Sequence, residues 1–445
     1  MKRVAVLNVV GLTRAVLEEM PRLKRWAGER ELSSFRPAFP AVTTTAQSSY
    51  LTGKSVGEHG IVGNGWYDRE DAEVKFWKQS NHLVKGEKIW EAAGVDCAKM
   101  FWWYNMYSSA KFSATPRPLY PADGRKFFDI HTQPMGMREE IKEDLGDFPF
   151  PSFWGPNAGI PSSKWIADSA RWIEEKESPT LNLVYLPHLD YGLQKYGPGV
   201  TEMEEEYRAI DEVTCDLIDF LEGRGVDVLV LSEYGISKVS RPIHLNRIFR
   251  EKGWIQVKDE LGLETLDCGG CKAFAVADHQ VAHVYVNDPA IAEEVREVVK
   301  EVEGVEEIRE GEDLWGEGCG RERGGDFVAV SEEDAWFTYY FWTDDAKAPD
   351  YARCIDIHRK PGYDPVELFL DPEIKFPVLK IAGFLAKKKL GFRGLMDVIP
   401  LDATLVKGSH GRDNVPEEEQ PVAIGARAGE VDSAEAVFSW IKNSL

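Results

Sequence analysis

The chain reads as an α/β protein on a mostly parallel central sheet, and three observations predict this. Short, apolar, β-branched runs at Val4–Val10, Thr180–Tyr185 and Val226–Leu231 each stop at polar or glycine-containing residues. Each lies near a stretch of helical spacing, the alternation expected of parallel strands buried on both faces by helices. In Glu202–Glu222 the residues Tyr207, Ile210, Val213, Leu217 and Phe220 fall on one helical stripe. Ligands in such folds collect beyond the carboxyl ends of the strands. That rule singles out the regions of Asp190 and Glu233, which follow strands, and the Thr43 loop, which precedes a helix.

Val4–Val10 follows Met-Lys-Arg and superficially resembles a short signal peptide. The apolar run is too short for one, and the charged stretch Arg14–Arg30 follows with no small-residue cleavage site. It is expected to be the first buried strand. Thr43 to Ser49 is a hydroxyl-rich run opening a helix, with Gly53, His59-Gly60-Ile61 and Asn64 after it. The aromatic and proline-rich segment 101–154 reads either as a cap over a pocket or as a loop packing its rings on the core. Residues 281–345 read as a small α+β insertion: strand His283–Val286, helix Ala290–Val302, strand Glu306–Arg309. Both belong to a single domain, 1–445.

A hydrophobic content of 43% and a charged content of 29% fit a soluble globular enzyme. The net charge of −22 argues against a nucleic-acid polymer as partner, because no basic stripe offsets it. Of six cysteines only Cys268 and Cys271 are close in sequence, with no second pair to complete a structural zinc site. Reduced thiols and the lack of a run of about 18 apolar residues lead to the expectation of a cytoplasmic protein without a membrane partner.

A hydroxyl at the start of a helix sits where backbone N–H groups and the helix dipole favour an anion. That suits a nucleophile attacking phosphorus or sulfur. The same run also reads as a capped helix with a threonine-rich first turn.

Phe39–Tyr67 resembles the nucleophile motif of type I phosphodiesterases/nucleotide pyrophosphatases, a branch of the alkaline phosphatase superfamily. The resemblance implies an alkaline phosphatase-like α/β/α sandwich. It assigns Thr43 as nucleophile, Thr52-Gly53 as the Thr-Gly, His59 as a structural histidine, and Asn64 as the residue holding the phosphate. It also implies divalent metal, one or two ions. Zinc is the family expectation, and manganese or magnesium are alternatives because oxygen donors are enriched here.

The family's remaining ligand positions are partly altered. Asp190 matches the first position of an Asp-x-x-x-His, but Gln194 replaces the histidine; its carbonyl could ligate a hard cation. His410, within Gly408-Ser-His-Gly411, matches the last motif. An aspartate before glycine is replaced by Val10 before Gly11; Asn8 shares that strand face but lies about 6.6 Å back along it. The family's Asp-His becomes Glu233-Tyr234, where Glu233 can still ligate and Tyr234 is better suited to donate a hydrogen bond. Asp278-His279, at the end of the apolar run Ala273–Ala277, could substitute as ligands or simply line the core. Asp356 and His358 share a strand face, and Arg359 and Lys360 could clamp a substrate anion or form ordinary salt bridges. His188 lies near Asp190 and could support it.

These readings predict metal-dependent hydrolysis of a phosphodiester, pyrophosphate or related phosphoester, through a phospho-threonine on Thr43. The alternative is a degenerate relative that binds a phosphorylated metabolite without turnover. Thr43 argues against a sulfatase, which needs cysteine or serine there, and the altered ligand set argues against a mutase.

Overall fold

The computed structural model describes residues 2–123 and 125–445. Eight strands form the central sheet, in the order Glu31–Ser34, Val422–Gly425, Val226–Leu231, Arg3–Val9, Leu181–Leu186, Cys97–Met100, Phe112–Pro116 and Ile130–Gln133. The five from Val226–Leu231 to Phe112–Pro116 are parallel. The outer three pair antiparallel. All six residues of Leu181–Leu186 are buried, as helices on both faces require. Each buried Leu or Val there contributes about 1.5–3 kcal/mol. Helices Ile160–Glu177 and Glu204–Gly223 pack on each other and on the sheet.

Because these strands are parallel, the chain leaves them on one side of the sheet. Asn8 and Val10, Trp102 and Trp103, His188 and Asp190, and Glu233 and Tyr234 all emerge there. Helix Thr43–Thr52 has all ten residues buried, although all but Ala46 and Leu51 are polar or hydroxyl-bearing. Its side chains find internal partners: Thr45 on the Ile61 carbonyl, Ser48 on that of Thr44, and Ser49 on His59. Burial without such bonds would cost about 1–3 kcal/mol per group.

The segment 101–154 contributes two strands, Phe112–Pro116 and Ile130–Gln133, to the edge of the main sheet. Phe101 and Phe148 pack on Trp165, so much of its aromatic content is core. The second sheet, in the order Ala273–Asp278, Val281–Val286, Phe327–Ser331 and Val305–Glu310, is antiparallel and starts ahead of residue 281. Helix Ala292–Lys300 covers it through Val295 and Val299. Its first hairpin turns at His279-Gln280, with His279 at φ +63°. That conformation is uncommon for a bulky side chain and fixes the ring toward the main sheet's carboxyl edge.

Candidate active site

Thr43 is the first residue of its helix; Val42 precedes it in extended conformation and cannot cap with its side chain. Asn64 takes that capping duty: its Oδ1 accepts from the Thr44 N–H and from Thr44 Oγ1, both at 3.2 Å. The Thr43 hydroxyl lies 3.0 Å from the Tyr234 hydroxyl. Tyr234 donates on to Asp190 Oδ1 at 3.3 Å, and Gln194 donates to Asp190 Oδ2 at 2.7 Å. His410 Nε2 stands 3.8 Å from Asp190 Oδ1. Four sequence-distant motifs therefore converge on one buried point.

His410 is oriented from behind. Its Nδ1 is 2.7 Å from the Ala41 carbonyl, which can only accept, so Nδ1 carries the proton. Nε2 is left as a bare, unpartnered lone pair. Burial pushes its pKa down to about 3, against the opposing pull of the Ala41 carbonyl. Four rings follow in series: Tyr234 stacks on His410 at 3.6 Å, His410 meets His279 at 3.6 Å with a 37° tilt, and His279 stacks on Tyr363 at 3.7 Å.

Glu233 is arranged differently. Its Oε1 accepts from Asn8 at 2.6 Å and from Gln47 at 2.7 Å. Gln47 is itself oriented by the Trp103 N–H on its oxygen. Burial pushes Glu233 up to about 8, while the Gln47, Asn8 and Thr43 hydrogen bonds pull it back. Burial likewise raises Asp190 to about 7. Asp278 rises to about 7 for the same reason, and both its oxygens accept from Asn64, from the backbone N–H and the side-chain amide.

Several expected roles do not match this geometry. The Gln194 oxygen accepts from the Tyr363 hydroxyl at 2.9 Å and its amide faces Asp190, so it steadies Asp190 and presents no oxygen to a cation. Lys360 is buried between Asp364 and Glu367, at 2.7 and 2.6 Å, because a buried ammonium needs carboxylate partners. It has no charge to spare for a substrate. Arg359 is half exposed and paired with Asp350. His188 faces Glu206. Asn64 commits part of its amide to Asp278, leaving one N–H for an anion.

Residues that the sequence reading missed are Gln47, Tyr363, Tyr185 and Trp77; Trp77 forms a wall with Trp103 and Trp154, which belong to the segment read as a cap or a core-packing loop. Gln47 stands one helical turn beyond Thr43 on the same face, a signal that was there to read. Tyr185 is a buried neighbour whose value burial drives up and the Thr43 hydroxyl moderates. Trp77 lies 4.7 Å from Trp103 and 6.1 Å from Tyr363, and Trp154 lies 5.8 Å from Tyr363. No sequence periodicity brings these rings together.

The sequence matches the type I phosphodiesterase/nucleotide pyrophosphatase family over residues 4–364. The chain belongs to that family. Its members are hydrolases of phosphoesters, and the family chemistry depends on divalent metal. An uncharacterized pyrophosphatase/phosphodiesterase of Schizosaccharomyces pombe is 27% identical over 228 residues, 48% of this chain and 40% of that protein. Ectonucleotide pyrophosphatase/phosphodiesterase 2 of Saccharomyces cerevisiae is 22% identical over 225 residues, 46% of this chain and 39% of that protein. The match thus spans about two fifths of the length of these relatives. Murine ectonucleotide pyrophosphatase/phosphodiesterase 5, as an inactive threonine-to-alanine form with AMP, superposes with a TM-score of 0.60 at 14% identity, covering 100% of this chain and 95% of that one. Phosphonoacetate hydrolase of Sinorhizobium meliloti with phosphonoformate gives 0.61 at 16% identity, with 100% and 95% covered. The fold is alkaline phosphatase-like.

The donor atoms decide how far the family's metal fits. Beside Asp190, the bare Nε2 of His410 and a carboxylate converge, which suits one cation completed by substrate oxygens. An imidazole nitrogen beside a carboxylate suits a borderline cation such as zinc, whereas a hard cation would rely on the carboxylate and phosphate oxygens. Beside Glu233 the ligand set for a second ion is reduced: Val10 and Tyr234 stand at two of its positions, and Glu233 Oε1 is taken by two amides, which leaves Glu233 Oε2 as its bare carboxylate oxygen. Among the described residues, no three His, Cys, Asp or Glu side chains are grouped as a ligand set.

Proposed function

We propose that this chain hydrolyses a small phosphoester at Thr43, using one divalent cation on the Asp190–His410 side. The observation that carries this is the convergence of Thr43, Asn64, Asp190 and His410 at the carboxyl edge of the sheet. A cation held by Asp190 and His410 would neutralise phosphate oxygens and lower the pKa of a coordinated hydroxyl. The residues of the chain do the rest. The first turn of the Thr43 helix presents backbone N–H groups and the positive end of its dipole to the anion. The free amide N–H of Asn64 donates to a non-bridging oxygen. The Thr43 hydroxyl attacks phosphorus in line and releases its proton toward the Tyr234 hydroxyl, which is hydrogen-bonded to Asp190. The leaving alcohol or phosphate departs on the opposite side, and water then cleaves the phospho-threonine.

Trp77, Trp103, Trp154 and Tyr363 favour a leaving group with a flat or apolar portion, because offset or edge-on aromatic contacts would stabilise it. Binding without turnover is a second reading, favoured by one observation: Val10 and Tyr234 stand on the Glu233 side at two positions where the family places ligands of an ion. Elemental analysis and bis-p-nitrophenyl phosphate turnover on the same sample, with added Mg²⁺, Mn²⁺ or Zn²⁺, separate the two. One bound ion with Thr43-dependent turnover supports hydrolysis. Phosphate binding with no turnover under any metal leaves the binding reading.

A further inference from the structure

The segment from Lys375 to Arg393 differs from the rest of the surface. It carries five lysines and an arginine and no aspartate or glutamate, in a chain of net charge −22. Its helix, Pro377–Lys389, has no buried residue. Val378 is 74% exposed, Leu379 69%, Leu385 53%, Leu390 76% and Phe392 66%. Water is a poor solvent for so dense a set of apolar side chains, and patches of this kind mark interaction surfaces.

A neighbouring loop continues the face. Arg393 donates to the Asp123 carbonyl and Lys388 to that of Lys126. Tyr120 and Phe128, on that loop, are 60% and 53% exposed, with the Lys126 ammonium 5.7 and 5.8 Å from their rings. Of the six cations in Lys375–Arg393, only Lys380 meets a carboxylate among the described residues, Asp397 at 3.1 Å.

We propose that this face docks in the plane of an anionic lipid surface. The helix rises only about 20 Å, too little to cross a hydrocarbon core of about 30 Å, and no helix of the chain is long and apolar enough to span one. Lying flat, it would sink Leu379, Leu385 and Leu390 to the acyl boundary while its lysines reach up to the headgroups. Charge selects this occupant. A second copy seated through the same face by twofold symmetry would bring six more cations against these six. An anionic headgroup layer complements them. The acidic remainder of the chain does not prevent approach, because its repulsion is screened beyond about 10 Å at ordinary salt, and it fixes which face turns down.

The test is co-flotation of the full chain with vesicles of phosphatidylcholine alone or containing phosphatidylserine. Two variants accompany it, Lys387→Glu/Lys388→Glu/Lys389→Glu and Leu379→Ser/Leu385→Ser/Leu390→Ser. All six positions are exposed, and an unchanged melting curve verifies folding. Phosphatidylserine-dependent binding is expected, weakening with salt. The charge reversal should weaken it by about a hundredfold or more, since each of the three cations near such a surface contributes about fivefold. The serine variant should also release the protein. No binding, or equal binding to both vesicle types, overturns the proposal. So does a wild-type dimer that the serine variant splits in sedimentation while vesicles capture nothing, which would assign the face to a second copy.

Discussion

The two sides of the Thr43 site have solved the burial of acid groups in different ways. On the Asp190 side, the carboxylate meets one tyrosine hydroxyl, one amide and a histidine whose second nitrogen is bare. On the Glu233 side, two amides from Asn8 and Gln47 converge on a single oxygen. Both oxygens of Asp190 accept a hydrogen bond, and the bare acceptor on that side is His410 Nε2; on the other side it is the second oxygen of Glu233 itself, Oε2. A carboxyl buried without a cation either finds N–H and O–H donors or takes up a proton. The difference between the sides is therefore a difference in which lone pairs remain unspent.

The largest effect is expected from Thr43→Ala, which should abolish phosphoester turnover by about a thousandfold or more while leaving the fold intact. Residual wild-type turnover in that variant, measured on every hydrolysed ester, would remove Thr43 from the chemistry. Next, Asp190→Asn and His410→Ala should each lower bound metal and turnover by about 10- to 100-fold. Glu233→Gln should leave metal content unchanged, because its oxygen can still accept from Asn8 and Gln47. Equal metal loss in all three variants, by elemental analysis, would erase the distinction between the sides.

A gain-of-site variant sharpens the comparison further. Val10→Asp with Tyr234→His should add a second bound ion, and a stoichiometry unchanged from wild type would show that missing ligands are not what distinguishes the Glu233 side. The pH dependence of stability gives the smallest signal. Glu233 is raised from 4.5 to about 8 in the folded chain, chiefly by burial. Folding therefore favours its protonated form, so its contribution is fully present below the unfolded value and is lost as pH rises through about 8. Wild type should lose melting temperature relative to Glu233→Gln between about pH 5 and 8; parallel curves would show that Glu233 titrates normally.

Much of this was legible beforehand. The parallel strands, the helix starting at Thr43 and the strand-ending positions of Asp190 and Glu233 follow from apolar periodicity and local glycine and hydroxyl patterns. Residue type suggests Gln194 as a ligand, and Lys360 and Arg359 as anion clamps or ordinary salt-bridge partners; the tertiary contacts give Gln194 to Tyr363 and decide for salt bridges, Lys360 to Asp364 and Glu367 and Arg359 to Asp350. The aromatic segment 101–154 was legible as aromatic, but whether its rings cap a pocket or fill the core depended on what lay beneath them. Phe101 went to the core, whereas Trp103 went to the site wall.

The sequence by itself determined which chemical groups this protein possesses and which local elements carry them. It placed a hydroxyl at a helix start and a Gly-flanked histidine at position 410, since those features depend on neighbours a few residues apart. Only the tertiary structure decided which donor atoms are still free. Asn8 reaches Glu233 across 225 residues of chain, and the Ala41 carbonyl sets the His410 tautomer across 369. A lone pair is spent or spare according to partners that meet only when the sheet has assembled, and no local pattern encodes that meeting.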